Sequence, residues 1–540
     1  MKKNILGALA LIALLMSSCM DNFLERNPYG SIDETTFFTE PEHANLAAMA
    51  CYAKMQTLNN HWGEAQLELG MTGDLSEKGF GDANAFYYGT FNPSNSDVVL
   101  GIWKRAYEGI AVCNKNIEGV TGMGDLLEPN ERDKYLAEMR FIRAFWYFRL
   151  IQFYGDVPMR SASVQDPTNP DEVQLAASPK ETILKDMILP DLTFASEKLP
   201  ESWEDAYMHR ATKGTAYAYL CSVNLYMGNY DAAIIAGQEV EKRDYSLEED
   251  PGCVLRVDKE NSKEIIFSIG IANGISFSIE REFYFGTKED LGDDGRIMRG
   301  DSYSGNYFWP SEDFINSFQA IDGTNYQTSP YYTTVRNDQW KNRDPRFDAT
   351  FFTPQDELTT TKNISVVWQQ DWLDNKETGY DIQKRGVWYG EDTWNQRVDL
   401  HMMRLPRIYL HMAEAYAKKT NPDFAKCSEY VEKVRSRARR FALKNRAKYV
   451  PAGLSDADVL KPFTINSEAT AMAAIDYESR VEFFTEDCIR YYDLKRWGTL
   501  KNVWPVKTGG NWDDKLFDLP YPASEVSANP LLEQHGTWGN

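Results

Sequence analysis

Apolar residues recur at spacings of three and four along most of this chain, the period of one helix face. In "EHANLAAMACYAKMQTL", residues 42–58, they fall at 46, 49, 50 and 53 and predict a helix from Glu42. "VVLGIWKRAYEGIAVCNKNIEGV" reads as a second helix. The strongest pattern is "NERDKYLAEMRFIRAFWYFRLIQFYGDVP", where Leu136, Met139, Ile142, Trp146, Leu150 and Phe153 form one stripe. Gly155 and Pro158 supply its stop. A further helix is expected to begin near Pro179 and to meet Pro190. "ATKGTAYAYLCSVNLYMGNYDAAIIAGQEV", residues 211–240, reads as two helices joined by a tight turn at Gly228. Its small residues let the pair approach closely, as in tetratricopeptide repeats. A weaker copy occupies residues 407–438.

Between these copies the pattern changes. Residues 246–400 are rich in Gly, Asp, Tyr and Trp, with short strand-like pieces such as "EIIFSIGI". The expected fold is mainly α: a tetratricopeptide-like scaffold carrying an irregular, loop-rich insert with short β-strands. The organisation read from these shifts is a leader at 1–18, a tether at 19–40, a helical part at 41–245, the insert at 246–400 and a second helical part at 401–540. Binding residues concentrate on loops that a rigid scaffold carries.

The leader changes the picture. Lys2 and Lys3 precede an apolar run at residues 5–16, and the small Ser17 and Ser18 follow it, the order of an export signal. Twelve apolar residues fall short of the roughly 20 that span a bilayer. Cys19 directly after the small residues resembles a bacterial lipoprotein cleavage site, which makes it the expected lipid attachment point. Met16 stands where such sites usually carry Leu. The other cysteines, Cys51, Cys113, Cys221, Cys253, Cys427 and Cys488, make no CxxC pair and read as buried free thiols, with disulfides of unreadable connectivity as the alternative in an exported protein.

With 58 Lys and Arg against 80 Asp and Glu, the net charge is −22. Such a surface repels nucleic acid. The one basic run, "RSRARRFALKNR" at 435–446, ends a helical pattern, where cations complement the helix dipole. Catalytic and metal motifs fail on inspection. "GDSYSG" places Ser304 where GxSxG requires glycine. The six histidines have no ligand spacing. "DLGDDGRIMRGD" is a weak calcium loop because Gly292 replaces a ligand. No cofactor is expected. Glu482 and Glu486, four apart, could be an acid/base pair. Glu486 and Arg490, also four apart, make a helix-stabilising ion pair the plainer reading.

The positive signal is rings in loops. A pyranose offers C–H faces to aromatic rings, while neighbouring polar groups bind its hydroxyls. One cluster is "DLSEKGFGDANAFYYGTFN", with Asp74, Lys78, Phe80, Phe86, Tyr87 and Tyr88. The other joins "REFYFG" and "RGDSYSGNYFWP", with Phe283, Tyr284, Tyr303, Tyr307 and Trp309. The plain alternative for each ring is packing beneath its own loop. Trp309, before Pro310 and a helix start, fits that alternative best.

Taken in order, eight segments resemble the SusD/RagB family of outer-membrane nutrient-binding lipoproteins. They are Cys19 with "MDNFLE", "EMRFIRAFWYFRLIQFYGDVP", "RATKGTAYAYLCSVNLYMGNY", "NRDPRFDATFF", "TGYDIQKRG", "RLPRIYLHMAEAYAK", "YESRVEFFTEDCIRYYDLKRWG" and "LPYPASEVSANPLLEQ". The resemblance implies a protein held at the cell surface by its lipid on Cys19. Such a protein binds glycan, or in some members peptide, and passes it to a SusC-like TonB-dependent transporter without cleaving it. It implies that the helical scaffold packs on the transporter, and that a loop after the first helices and the irregular insert build the glycan site together. A surface glycosidase and a lid without ligand affinity are the remaining readings.

Overall fold

The computed structural model describes residues 37–60, 67–68, 70–74, 82–204, 208–255, 259–270, 289–291, 297–299, 310–335, 338–353, 357–359, 365–367, 378, 380, 382, 384, 399–508 and 511–539. Helices dominate, as the spacing predicts. The first group is α1 (Glu42–Met55), α2 (Asp82–Tyr88), α3 (Asp97–Gly122) and α4 (Pro129–Tyr154). It continues with α5 (Leu189–Lys198), α6 (Lys213–Tyr226) and α7 (Tyr230–Glu241). Beyond the insert come α9 (Leu405–Lys418), α10 (Phe424–Lys444), α11 (Glu468–Glu482) and α12 (Ile489–Arg496). Their starts follow from local chemistry. Ser96 caps α3 through Val99 N, and Thr212 and Ser467 form capping boxes with Thr215 and Thr470.

At two helices the structure adds what spacing does not reveal. The helix at Pro190 does not end there. Helical backbone runs from Lys180 to Lys198, with a wide π turn over Leu184–Ile188 just before the proline. Proline lacks an N–H and crowds the carbonyl four residues back, and a wide turn accommodates both. In α1 the stripe 46, 49, 50 and 53 is exposed, and the opposite face, Ala44, Ala47, Ala48, Cys51 and Met55, enters the core. Side-chain size decides this: three alanines let α1 settle close against α3 and α4. Helix α4 needs no single face, because from Leu136 to Tyr154 every residue but the half-buried Arg140 is buried. It lies so close to α3 that a Cβ on Gly109 would fall 2.2 Å from the Trp146 indole.

The two tetratricopeptide-like pairs, α6–α7 and α9–α10, are far apart in sequence but stack directly. Gly228, at φ +75°, makes the turn between α6 and α7. Gly237 on α7 lets Met412 of α9 approach, since a Cβ there would lie 2.5 Å from the Met412 sulfur. The insert leaves and rejoins this stack through β1 (Ile265–Ile269) and β6 (Leu400–Arg404), paired antiparallel. Inside the insert β2 (Glu289–Leu291) pairs with β3 (Ile297–Arg299), and β4 (Glu357–Thr359) with β5 (Ser365–Val367). Part of the weak calcium-loop segment therefore belongs to an antiparallel strand pair. Helix α8 (Glu312–Ser317) and the segment 346–351 supply a second core of Phe314, Phe318, Phe347 and Phe351, closed by Phe484.

All six described cysteines are buried free thiols. Burial pushes Cys221 up to about 12, which suits an unreactive packing role. Among the described residues no helix is long and apolar enough to cross a membrane.

Glu138 on α4 is fully buried, 3.3 Å from Arg210 Nη1. Burial pushes its carboxyl from 4.5 up to about 7, with Arg210 opposing the shift. The folded state thus holds this proton more tightly than the unfolded chain does. The resulting stabilisation is complete below pH about 4.5 and is lost as pH rises through about 7. Glu138→Gln is expected to raise urea-unfolding stability at pH 8 by about 2 kcal/mol and to leave it unchanged at pH 5. Equal stability at pH 8 would mean that Arg210 and Tyr52 hold the carboxylate charged.

Candidate ligand-binding site

Helix α11 connects the scaffold to the loops that carry the predicted rings. Glu478 and Glu482, one turn apart, face inward and are fully buried. Arg480 lies between them, about 200° round the helix from Glu478, and so points the other way. It donates through Nε to Asp74 at 3.1 Å and through Nη2 to Asp313 at 2.7 Å. Burial disfavours the Arg480 cation, but Asp74 and then Asp313 overcome that and hold its pKa above the usual arginine value.

Asp74 begins the first ring cluster and Ser311 directly follows the second. The two meet. Ser311 N donates to Asp74 O at 2.9 Å, and Ser311 Oγ donates to Gly73 O at 3.0 Å. Ser311 also caps α8, accepting from Phe314 N at 3.2 Å. The roots of two segments 238 residues apart are thereby joined to each other and to Arg480. Sequence reasoning missed Arg480 and the joining role of Ser311. "SED" after Pro310 identifies a helix start, but nothing in one sequence pairs it with Gly73.

Two predicted ligand contacts serve the scaffold instead. Asp74 is 2% exposed and engaged by Arg480. Phe86 is fully buried, 4.7 Å from Phe91, and its carbonyl accepts from Trp504 Nε1 at 3.3 Å. An aromatic side chain in a short amphipathic helix turns inward because that buries its whole area. The same helix leaves Tyr88 49% exposed, with Tyr87 half-buried and edge-on to it at 5.2 Å. Phe86 thus fixes a platform whose outer rings are Tyr87 and Tyr88. Lys78, Phe80, Phe283, Tyr284, Tyr303, Tyr307, Trp309 and Cys19 lie outside the described residues.

The carboxylate pair at 482 and 486 is no acid/base centre. The expected ion pair between Glu486 and Arg490 on one helix is also absent. Helix α11 ends at Glu482, and Thr485, Asp487 and Cys488 adopt left-handed backbone before α12. Arg490 pairs with Asp476 instead. Glu482 pairs with Arg404 and Arg437, and Glu486 with Arg404 and Lys384. Burial pushes Glu482 up, but Arg437, Arg404 and Arg346 outweigh it and hold the carboxyl well below its usual range. A general acid needs the opposite shift. The basic run is consumed here as well: Arg435 and Arg437 are buried against Glu478, Glu264 and Glu482. Among the described residues, no group of three or more His, Cys, Asp or Glu is placed to hold a metal ion.

Residues 263–538 match the SusD family, and residues 22–225 match a family described as starch-binding associating with outer membrane. The chain is 28% identical over 319 residues to SusD-like protein P2 of Formosa agariphila, a match spanning 56% of this chain and 60% of that protein. It is 24% identical to SusD-like protein P25 of the same organism, over 97% of both chains. A SusD-like protein from Bacteroides fragilis superposes with a TM-score of 0.75 at 22% identity, covering 95% of this chain and 100% of that one. Surface glycan-binding protein A from Bacteroides thetaiotaomicron, solved with laminarihexaose, superposes with a TM-score of 0.65 at 18% identity, over 92% and 99% of the two chains.

Proposed function

Since the chain belongs to the SusD family, we propose that it is a cell-surface glycan-binding lipoprotein, anchored through Cys19, that captures oligo- or polysaccharide and delivers it to a TonB-dependent outer-membrane transporter. The observation that carries this reading is the joined root of the two ring-bearing loops at Asp74, Ser311 and Arg480. Clusters rooted at one point can line one surface, and Tyr87 and Tyr88, from the first of them, are the outer rings of a platform fixed by Phe86. A neighbour in fold was solved with laminarihexaose, and the family matching residues 22–225 is described as starch-binding associating with outer membrane. Both support a neutral glycan, as does the net charge of −22. Capture needs no chemistry. Rings cover the apolar faces of the sugar, polar groups bond its hydroxyls, and the transporter beneath receives the chain. The buried, arginine-saturated state of Glu482 and Glu486 supports binding without cleavage.

The test is retardation of the unlipidated chain in native gels cast with neutral glucans, other plant and microbial polysaccharides, or none. One polymer is expected to retard it. Tyr88→Ala is expected to weaken that binding about tenfold, the effect of one lost stacking ring, with an unchanged melting temperature. Release of sugar without added enzyme would replace this reading with a glycosidase. Binding to peptides alone would replace it with a peptide carrier.

A further inference from the structure

Faces of α4, α6, α9 and α12 converge inside the scaffold. Phe145, Phe148, Arg149 and Gln152 keep the three-and-four spacing on α4, and Tyr219, Ser222 and Tyr226 keep it on α6. Arg407 and His411 do so on α9, and Ile489, Tyr492 and Arg496 on α12. Together they enclose a chamber of about 50 Å³. At Gln152, Tyr226, Tyr492 and Arg496 it abuts a cavity of about 290 Å³. Leu184, Met227 and Phe517 line that outer cavity further, with Lys180 and the exposed Glu181 on its solvent side.

The charges around these spaces are matched within the protein. Arg149 pairs with Asp487 at 2.6 Å, Arg407 Nη2 with Asp493 at 2.8 Å, Arg496 Nη2 with Glu414 at 2.7 Å and Lys495 with Asp518 at 2.7 Å. Several uncharged atoms are not matched. Gln152 Nε2 donates to Phe148 O at 3.2 Å, and its Oε1 has no partner among the described residues. Ser222 Oγ donates to Ala218 O at 3.1 Å, so it accepts from His411 Nδ1 at 3.2 Å and leaves His411 Nε2 a bare acceptor. The Tyr219 and Tyr226 hydroxyls likewise have no hydrogen-bond partner among the described residues. Tyr219 and His411 are 5% exposed and Gln152 9%. Burial keeps both phenols protonated, and burial followed by Arg407 keeps His411 neutral. A buried polar atom without a partner destabilises a fold, so this set needs a cause other than packing.

We propose that the two spaces together form a second carbohydrate site, which takes a single neutral sugar unit; it stands apart from the ring loops and does not rest on their role. Size selects a small ligand. A cavity of about 290 Å³ lies at the low end of ligand sites, roughly 300 Å³, and has no room for a chain. Charge selects a neutral one, since the inner charges are matched and Lys180 and Glu181 cancel on the solvent side. Chemistry selects hydroxyls. Two acceptors, Gln152 Oε1 and His411 Nε2, stand with two phenols that both donate and accept, a set that a polyol completes and a hydrocarbon does not. Tyr226, Tyr492 and Phe517 supply ring faces for the C–H patches of the sugar. The sugar ring lies in the outer cavity, and its deepest hydroxyls reach the inner set directly or through water in the smaller chamber.

The experiment titrates the unlipidated chain with glucose, galactose, mannose and xylose in the millimolar range, read by melting temperature and by calorimetry. One of these sugars is expected to raise the melting temperature and to bind one to one. Tyr219→Phe and Tyr226→Phe each remove a hydroxyl that has no protein partner and keep the ring. Without sugar, both variants are expected to melt no lower than the wild type. Each is expected to bind the sugar about tenfold more weakly, with polysaccharide retardation unchanged. Tyr88→Ala is expected to do the reverse, weakening retardation and leaving the affinity for the single sugar as it is. Should a phenylalanine variant melt early, Met227→Trp, which narrows the outer cavity from its half-buried side, is read in its place and is expected to abolish sugar binding. Binding of the single sugar without retardation by any polysaccharide supports this site and removes the loop reading. No response to any of the four sugars overturns the inference. So does a response that Tyr88→Ala abolishes and the phenylalanine variants keep. A crystal soaked in the responding sugar that shows only water between Tyr226 and Phe517 also overturns it.

Discussion

Arg404→Met lowers the free energy of unfolding by about 3–5 kcal/mol, the cost of leaving buried charge without its partner. Arg404 ends β6, the strand through which the insert rejoins the scaffold. It reaches Glu264 on the approach to β1, Glu482 at the end of α11 and Glu486 in the following turn. The network continues through Arg437, Arg346, Arg435 and Lys384 to Glu478 and Asp344. Among the described residues it balances five carboxylates, at 264, 344, 478, 482 and 486, against five cations. Methionine matches the apolar stem of arginine but leaves five carboxylates facing four cations. One carboxyl must then take up a proton, and its folded pKa rises above the unfolded value. Such a group stabilises the fold below its unfolded pKa and loses that contribution as pH rises. The deficit of Arg404→Met is therefore expected to grow between pH 5 and pH 8 in urea unfolding. A deficit that is constant with pH would mean that water entering the site, not protonation, relieves the charge. Arg404→Lys keeps the charge but loses the fork that binds Glu486 through Nε at 2.7 Å and Nη2 at 2.9 Å. Its loss is expected to be smaller and nearly independent of pH.

The same network shows where sequence reasoning reached and where it stopped. Periodicity and helix-stop residues located the scaffold because they act within one or two turns. The repeat-like pairs at 211–240 and 407–438 were legible for that reason, but their stacking on one another, with Gly237 making room for Met412, depends on contacts between distant segments that spacing does not reveal. Spacing alone could not say which side of α1 faces in. Both sides are apolar, and the choice depends on how closely alanines let neighbouring helices approach. Nor could it foresee that the run after Glu482 leaves the helix. The left-handed backbone at Thr485, Asp487 and Cys488 is held by distant groups, Arg149 on Asp487 at 2.6 Å and Arg404 on Glu486 at 2.7 Å. Glu482, Glu486 and Arg490 looked like one helical ladder because their partners lie 45 or more residues away or on another element. At the candidate site, composition found the rings but not their orientation. Phe86 and Asp74 differ from Tyr88 only in which way a seven-residue helix and a loop root face, and the core decides that.

Arg480→Leu tests whether the joined root orders the ligand surface. Leucine keeps most of the buried stem and removes the group that holds Asp74 and Asp313. Asp74, 2% exposed, then keeps a charge or a proton without its cation. The local cost is about 2–4 kcal/mol. It falls on the junction of the two loops and not on the helical stack, so circular dichroism is expected to keep its helical signal while the melting temperature drops. Glycan affinity is expected to fall more than tenfold, further than with Tyr88→Ala, because two ring clusters lose their common anchor rather than one ring. Asp74→Asn separates position from charge. The amide still accepts from Arg480, Asp313 still neutralises the cation, and Ser311 still bonds the backbone of residues 73 and 74. Its affinity loss is expected to be no more than a few-fold. If Arg480→Leu melts early yet binds as the wild type does, the root stabilises the fold alone, and the ring loops take their positions from contacts within the insert. If affinity falls in step with the loss of Asp74's cation, a residue with no ligand contact governs binding by fixing the point from which both loops depart.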